Sequence, residues 1–194
     1  MKMIMSKVLN LNSMNNRQSL KNMKRTYATI LQGVKLAKNI KEEVKEEVRK
    51  IQENNPLFHP KLVAIAIGNN PASKIYLSKK MEAAEYCGIS FDRISLPLDT
   101  NEKKLVNMIE DLNQDTSING IIVQLPLPAH MGEIRVCNSV SPDKDVDGFT
   151  QTNLGRLMQN TDSSSLVPCT ALAVKKIVQD LGNRQRLKLN LLLF

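Results

Sequence analysis

Tyr76 and Lys80 stand four residues apart in the stretch Gly68-Asn-Asn-Pro-Ala-Ser-Lys-Ile-Tyr-Leu-Ser-Lys-Lys80. In a helix that spacing puts them on one face, one turn from each other. A phenol beside an ammonium is suited to proton transfer where some water is excluded. The ordinary alternative is a solvated lysine and a half-buried tyrosine, because Tyr-x-x-x-Lys occurs by chance on many helices. Position separates the two readings. The apolar run Leu62 to Ile67 predicts a strand that enters a Gly-Asn-Asn-Pro turn, and Pro71 suits the first turn of a helix. The pair is therefore expected near the carboxyl end of a strand, where open α/β sheets place their ligands.

Two further stretches hold polar groups in defined places. Gln124 ends an apolar run from Ile121 to Leu125, and Pro126 and Pro128 cannot sit in a central ladder, so the strand must stop there. Gln124 then shares a sheet edge with Gly68. Ser141-Pro-Asp-Lys-Asp-Val-Asp-Gly-Phe149 is a turn-rich acidic loop in which Val146 and Phe149 bracket Asp147, a pattern expected to pack down and hold that carboxylate. The alternation of Asp143, Asp145 and Asp147 is like a calcium loop, but the glycine position and distant glutamate of an EF-hand are missing, so calcium is rejected.

The positioning elements alternate. Leu36, Ile40, Val44, Val48 and Ile51 form one apolar stripe and predict a helix over 31–53, ended by Asn54-Asn55-Pro56. A strand over Lys61 to Ile67 follows, then a helix from Pro71 to about Cys87 with Gly88 as its stop, and a strand from Ile89 to Leu96. Asp99 reads as an N-cap, with Glu102 at capping-box spacing, for a helix carrying Leu105, Met108, Ile109 and Leu112. Asn119-Gly120 turns into the third strand. Shorter helices are expected at Glu133 to Val140 and Asn153 to Gln159, and a last one begins after Val167-Pro-Cys with Thr170 as N-cap. Helix, then strand-helix-strand-helix-strand, implies an α/β fold with a doubly wound parallel sheet and right-handed crossovers.

The 194 residues carry a net charge of +8, but the charge sits at the ends. Residues 1–30 hold Lys2, Lys7, Arg17, Lys21, Lys24 and Arg25 with no acid, and 183–194 add Arg184, Arg186 and Lys188, which leaves 31–182 at −1. With few aromatics and no basic stripe in the middle, nucleic acid is not an expected partner. No run of about 18 apolar residues suggests a membrane span. Cys87, Cys137 and Cys169 are widely spaced, without Cys-x-x-Cys, and read as reduced thiols; His59 and His130 are too isolated to suggest a metal centre. Residues 1–27 have the composition of a mitochondrial transit peptide, and Arg25-Thr26-Tyr27-Ala28 resembles a matrix processing site, so a mature start near Ala28 and a matrix location are expected.

Four stretches then match one family in order: Gly68 to Lys80, Gly120-Ile-Ile-Val-Gln-Leu-Pro-Leu-Pro128, Pro142-Asp-Lys-Asp-Val-Asp-Gly-Phe149 and Pro168-Cys-Thr170. They resemble the methylenetetrahydrofolate dehydrogenase/methenyltetrahydrofolate cyclohydrolase family over roughly Ile30 to Gly182. The wording from Cys137 to Phe149 looks most like the mitochondrial NAD-dependent branch. The resemblance implies a folate substrate at the carboxyl edge of the sheet, within a catalytic domain over 28–182. It implies that Tyr76 stacks on the folate ring system and that Lys80 is the catalytic ammonium. Gln124 would hydrogen-bond Lys80 and orient it, and Asp147 would accept from the amino-pyrimidine edge of the pterin. Ser73 is a further substrate contact, equally well explained as a helix-start hydroxyl. NAD is the implied cofactor, with magnesium and phosphate in that branch, and the family is homodimeric.

The family continues into a second, Rossmann domain that holds the dinucleotide and contributes substantially to the dimer. Its Gly-Arg-Ser phosphate loop and Pro-Gly-Gly turn do not follow Gly182, no Gly-x-Gly-x-x-Gly occurs in the sequence, and Ala171 replaces the proline usual after Pro-Cys-Thr. Residues 183–194 therefore read as a tail standing in place of that domain, as from a misread intron, a frameshift or a short splice form. On this reading dehydrogenation is not expected of this stretch alone, and cyclohydrolase activity, which needs no dinucleotide, is expected to be weak. Two other readings stay open: a non-catalytic folate-binding fragment, which ligand stabilisation without turnover would mark, and a basic mitochondrial interaction protein, which salt-sensitive RNA binding by 28–182 would mark.

Overall fold

A computed structural model describes residues 33–159 and 166–185. The expected transit segment, 1–27, and all but the first three residues of the expected tail lie outside the described residues.

The described residues open with helix α1 (Gly33–Asn54), followed by β1 (Lys61–Ile67), α2 (Pro71–Tyr86), β2 (Ser90–Leu96), α3 (Glu102–Gln114) and β3 (Gly120–Val123). Three helices follow: α4 (Glu133–Ser139), α5 (Gln151–Gln159) and α6 (Cys169–Gln185). The strands form one parallel sheet in the order β2-β1-β3, with Lys61 opposite Ser90 and Leu62 opposite Gly120. The alternating pattern is thus realised as a parallel α/β sheet. The path from β1 goes to one side, and the path from β2 crosses back over β1 to reach β3. The strand order reverses between β1 and β3, and a crevice opens at their carboxyl ends.

Both sheet faces are covered, and β1 is accordingly apolar from Leu62 to Ile67, as a strand buried on two sides must be. Val63, Ile65 and Ile67 face Leu105 and Ile109 of α3 and Val136 of α4, joined by Ile121 and Val123 of β3. On the other face Ala64 and Ala66 meet Leu77 of α2 and Ile122, with Phe91 and Val146 packed alongside. Each fully buried Leu or Ile contributes about 1.5–3 kcal/mol. Leu77, 1% exposed, anchors α2, whose own amphipathicity is weak, and so sets where its neighbours Tyr76 and Lys80 emerge.

Two helix starts differ from expectation. The N-cap of α3 is Asn101, whose side chain accepts from Lys103 N, and not Asp99. Glu102 does not reach back in a capping box; its Oε2 accepts from Gly132 N at 2.5 Å and its Oε1 pairs with Arg135 at 3.2 Å, tying α3 to α4. Thr170 lies inside α6, which begins at Cys169 directly after Pro168. Phe149, expected to pack down beside Val146, is 42% exposed.

Candidate functional site

Four segments meet at the crevice. The β1–α2 turn needs Gly68, whose φ of +75° is the left-handed region, and Asn70 then starts the helix by accepting from Ala72 N at 2.9 Å and Ser73 N at 3.3 Å. From α2 come Tyr76 and Lys80. The chain leaving β3 supplies Val123, Gln124 and Leu125, before a cis Leu125–Pro126 bond. Asp147 and Phe149 come from the acidic loop, and Pro168, Cys169 and Thr170 from the start of α6. Together they line a cavity of about 280 Å³. That lies just below the about 300–1,000 Å³ common for ligand sites.

The acidic loop is built from residues with separate tasks. Lys144 Nζ donates to the carbonyls of Leu112 and Asp115 at the end of α3, at 3.1 and 2.7 Å. Its own carbonyl accepts from Ile121 N at 2.8 Å, which seats the loop on the edge of β3. Asp145 is buried and accepts from Phe149 N, Thr150 N and Asn153 Nδ2. Asp147 alone of the three aspartates reaches the cavity. Gly148 has φ +68°, and a Cβ there would lie 2.7 Å from the Leu166 carbonyl oxygen, so only glycine lets the loop approach the Pro168 segment.

Within the cavity Lys80 Nζ is 3.4 Å from Asp147 Oδ1 and 5.1 Å from the centroid of the Tyr76 ring. The two charged side chains are only 23% and 15% exposed, whereas Tyr76 is 56% exposed at the rim. The Lys80–Gln124 hydrogen bond is not formed. Gln124 Nε2 donates to the Leu125 carbonyl at 2.7 Å, and its Oε1 is buried with no partner among the described residues. Asp147 is the stronger acceptor for an ammonium, which explains the exchange. Ser73 does not line the cavity; it sits in the first turn of α2 with its N–H donated to Asn70, in keeping with its helix-start reading. Cys169 is the residue that motif spacing did not single out. Its Sγ lies 3.9 Å from Asp147 Oδ1, and desolvation, reinforced by the Asp147 charge, raises the thiol above its ordinary pKa. It is therefore a neutral weak donor to that carboxylate. Its place in Pro168-Cys-Thr170 was the available signal.

This arrangement offers a stacking surface, an ammonium paired with a carboxylate that has two acceptor oxygens, and an orphaned amide oxygen. It suits a flat ring system with adjacent N–H donors and a reacting centre that exchanges protons. A dinucleotide does not fit the described residues: the N-terminus of α2 is already satisfied by Asn70, and no glycine-rich phosphate loop is present. Nor does a magnesium site, since no three His, Cys, Asp or Glu side chains are grouped to hold a metal among the described residues.

Comparison with known proteins gives a consistent picture. A family model described as tetrahydrofolate dehydrogenase/cyclohydrolase, catalytic domain, matches residues 31–147. The bifunctional protein FolD of Francisella tularensis subsp. novicida is 42% identical over 153 residues, covering 79% of this chain and 54% of the relative. The structure of a 5,10-methylenetetrahydrofolate dehydrogenase from the silkworm Bombyx mori superposes with a TM-score of 0.76 at 39% identity, covering 80% of this chain and 52% of that one. A Trypanosoma brucei methylenetetrahydrofolate dehydrogenase-cyclohydrolase, complexed with NADP and an inhibitor, gives 0.76 at 31% identity, with the same coverage. The chain spans about half the length of these relatives.

Proposed function

Since the chain belongs to the tetrahydrofolate dehydrogenase/cyclohydrolase family, we propose that its cavity binds the pterin end of a reduced folate and hydrolyses the 5,10-methenyl bridge. The observation that carries this is the Lys80–Asp147 contact at 3.4 Å inside a cavity rimmed by Tyr76, at the crevice where the strand order reverses.

In this reading Asp147 exchanges partners. The amino-pyrimidine edge takes its two oxygens, as paired donors take a carboxylate, and Tyr76 covers the ring face. Lys80 is released toward the cationic bridge, and the unpartnered Gln124 Oε1 is available to receive it. Water adds to the bridging carbon and loses a proton. The resulting hydroxyl gives up its proton as the bond from that carbon to one ring nitrogen breaks, and that nitrogen takes up a proton, leaving a neutral formyl group on the other and one proton released overall. Lys80 is the group suited to carry a proton between these sites. The hydride step belongs to the family's two-domain architecture, where a dinucleotide supplies the acceptor.

Two finer points belong to the same proposal. The basic, acid-free residues 1–27 support import into the mitochondrial matrix, and the wording of Cys137 to Phe149 supports the NAD-dependent branch. Imaging of a fluorescent fusion tests the first, and a cofactor-preference assay on the longest transcript tests the second. The exposure of Tyr76 favours one alternative, folate binding without efficient turnover. Methenyl hydrolysis by the purified chain, measured above the spontaneous rate, decides between them. Saturable turnover supports catalysis, binding without turnover leaves the folate-binding fragment, and the absence of both turnover and binding overturns the proposal.

A further inference from the structure

The buried polar side chains among the described residues are Thr100, Asp145, Thr150 and Asn153, and three of these four are hydrogen-bonded to one another around the loop that carries Asp147. Asp145 is 4% exposed and Asn153 1%. Asp145 Oδ1 accepts from Phe149 N at 3.2 Å, and its Oδ2 accepts from Thr150 N at 2.8 Å and Asn153 Nδ2 at 3.0 Å. The same Asn153 amide donates to the Pro142 carbonyl at 2.9 Å, where the loop begins. The Asp145 carbonyl accepts from Gly148 N at 3.2 Å. Main chain and side chain of Asp145 thus close a short loop of Val146, Asp147 and Gly148, and Asn153 pins that loop to α5. Burying a carboxylate is costly unless it is fully hydrogen-bonded, and nothing in the proposed chemistry uses Asp145 directly.

We propose that Asp145 and Asn153 are positioning residues that hold the Asp147 carboxylate at the distance where it can trade Lys80 for the substrate's N–H edge. The proposal rests on the folate reading of the cavity. A site of this kind loses its advantage when its groups shift by about 1 Å. Asp145→Asn turns one acceptor oxygen into a donor facing Thr150 N–H and the Asn153 amide, so the loop must open. Asn153→Ala removes the amide without adding a repelling donor and is the second variant should the first fail to fold.

The test is a double-mutant cycle on the full chain with 5,10-methenyltetrahydrofolate. Asp145→Asn is expected to raise KM, or Kd where the chain binds without turnover, about tenfold, and to raise it no further when Asp147→Ala is already present, because coupled residues are not additive. Asn153→Ala should raise KM in the same sense. The same factor in both backgrounds, or an unchanged KM, overturns the proposal, since general destabilisation does not depend on Asp147. If the parent chain neither binds nor turns over folate, the folate reading fails by itself. Positioning is then read from the Asp147 13Cγ resonance. Lys80→Met should move it in the parent and not in Asp145→Asn, and equal movement in both refutes the inference.

Discussion

Replacing Lys80 by Met removes the ammonium while keeping an unbranched stem of similar length against the Tyr76 ring. The catalytic cost follows from the proposed role: a positioned acid–base group contributes about 10²–10⁴ in rate, or roughly 3–5 kcal/mol of barrier. The structural cost is smaller. Removing one member of a fully buried ion pair costs about 3–5 kcal/mol, and of an exposed one under about 1 kcal/mol. Lys80 and Asp147 are 3.4 Å apart and retain 23% and 15% exposure. Discounted for that solvent, the loss is about 1–2 kcal/mol, a fall in Tm of roughly 2–8 °C. Substrate affinity should hold or rise modestly, because Asp147 no longer has to leave a partner. The assay is loss of methenyl absorbance with purified chain, alongside calorimetric binding of tetrahydrofolate and thermal melting. We predict kcat lower by 10²–10⁴ with Kd within about tenfold of the parent. A kcat within threefold of the parent, or one that falls only in step with binding, would refute the role given to Lys80.

Three further perturbations have defined outcomes. Gly148→Ala forces a side chain into φ +68° and against the Leu166 carbonyl; it should cost about 1–3 kcal/mol and raise KM, and an unchanged Tm would show that the loop does not depend on that approach. Asn70→Ala withdraws the acceptor from Ala72 N and Ser73 N; it should lower stability by about 1 kcal/mol in a urea melt, and no change would mean the cap is dispensable. Burial, aided by the charges of Glu133, Asp145 and Asp147, raises the Cys137 thiol from 9.0 to about 11. The folded state then keeps a proton the unfolded state has lost, so stability is full below pH 9 and declines as pH rises through about 11. Cys137→Ala should flatten that alkaline slope in pH-dependent melts, and a slope identical to the parent's would remove Cys137 as its source.

The crevice was legible before its contents were. Apolar β1, the turn at Gly68 and the prolines after Gln124 are local signals, and they sufficed to bring Tyr76, Lys80 and Gln124 to one sheet edge, whereas the place of Asp147 beside them followed only from the family resemblance. The partners inside the crevice were not legible. Whether Lys80 meets Gln124 or Asp147 depends on distances between segments 67 residues apart in sequence. Likewise Asp143, Asp145 and Asp147 share a residue type and a period of two, and only the seating of Lys144 on β3 and α3 separates an exposed, a buried and a cavity-lining aspartate. At Asp99 the capping-box spacing was satisfied by sequence yet lost to Asn101, because Glu102 is drawn to Gly132 and Arg135 on the next helix. Tertiary partners override local propensity in each of these cases.

The claim that the switch-point cavity is the folate site is tested most directly by titrating tetrahydrofolate into isotopically labelled chain and following each residue by NMR. Saturable shifts centred on Tyr76, Lys80, Gln124 and Asp147, and abolished by Asp147→Ala, are the predicted result. Saturable shifts centred elsewhere, or none at millimolar ligand, would contradict it.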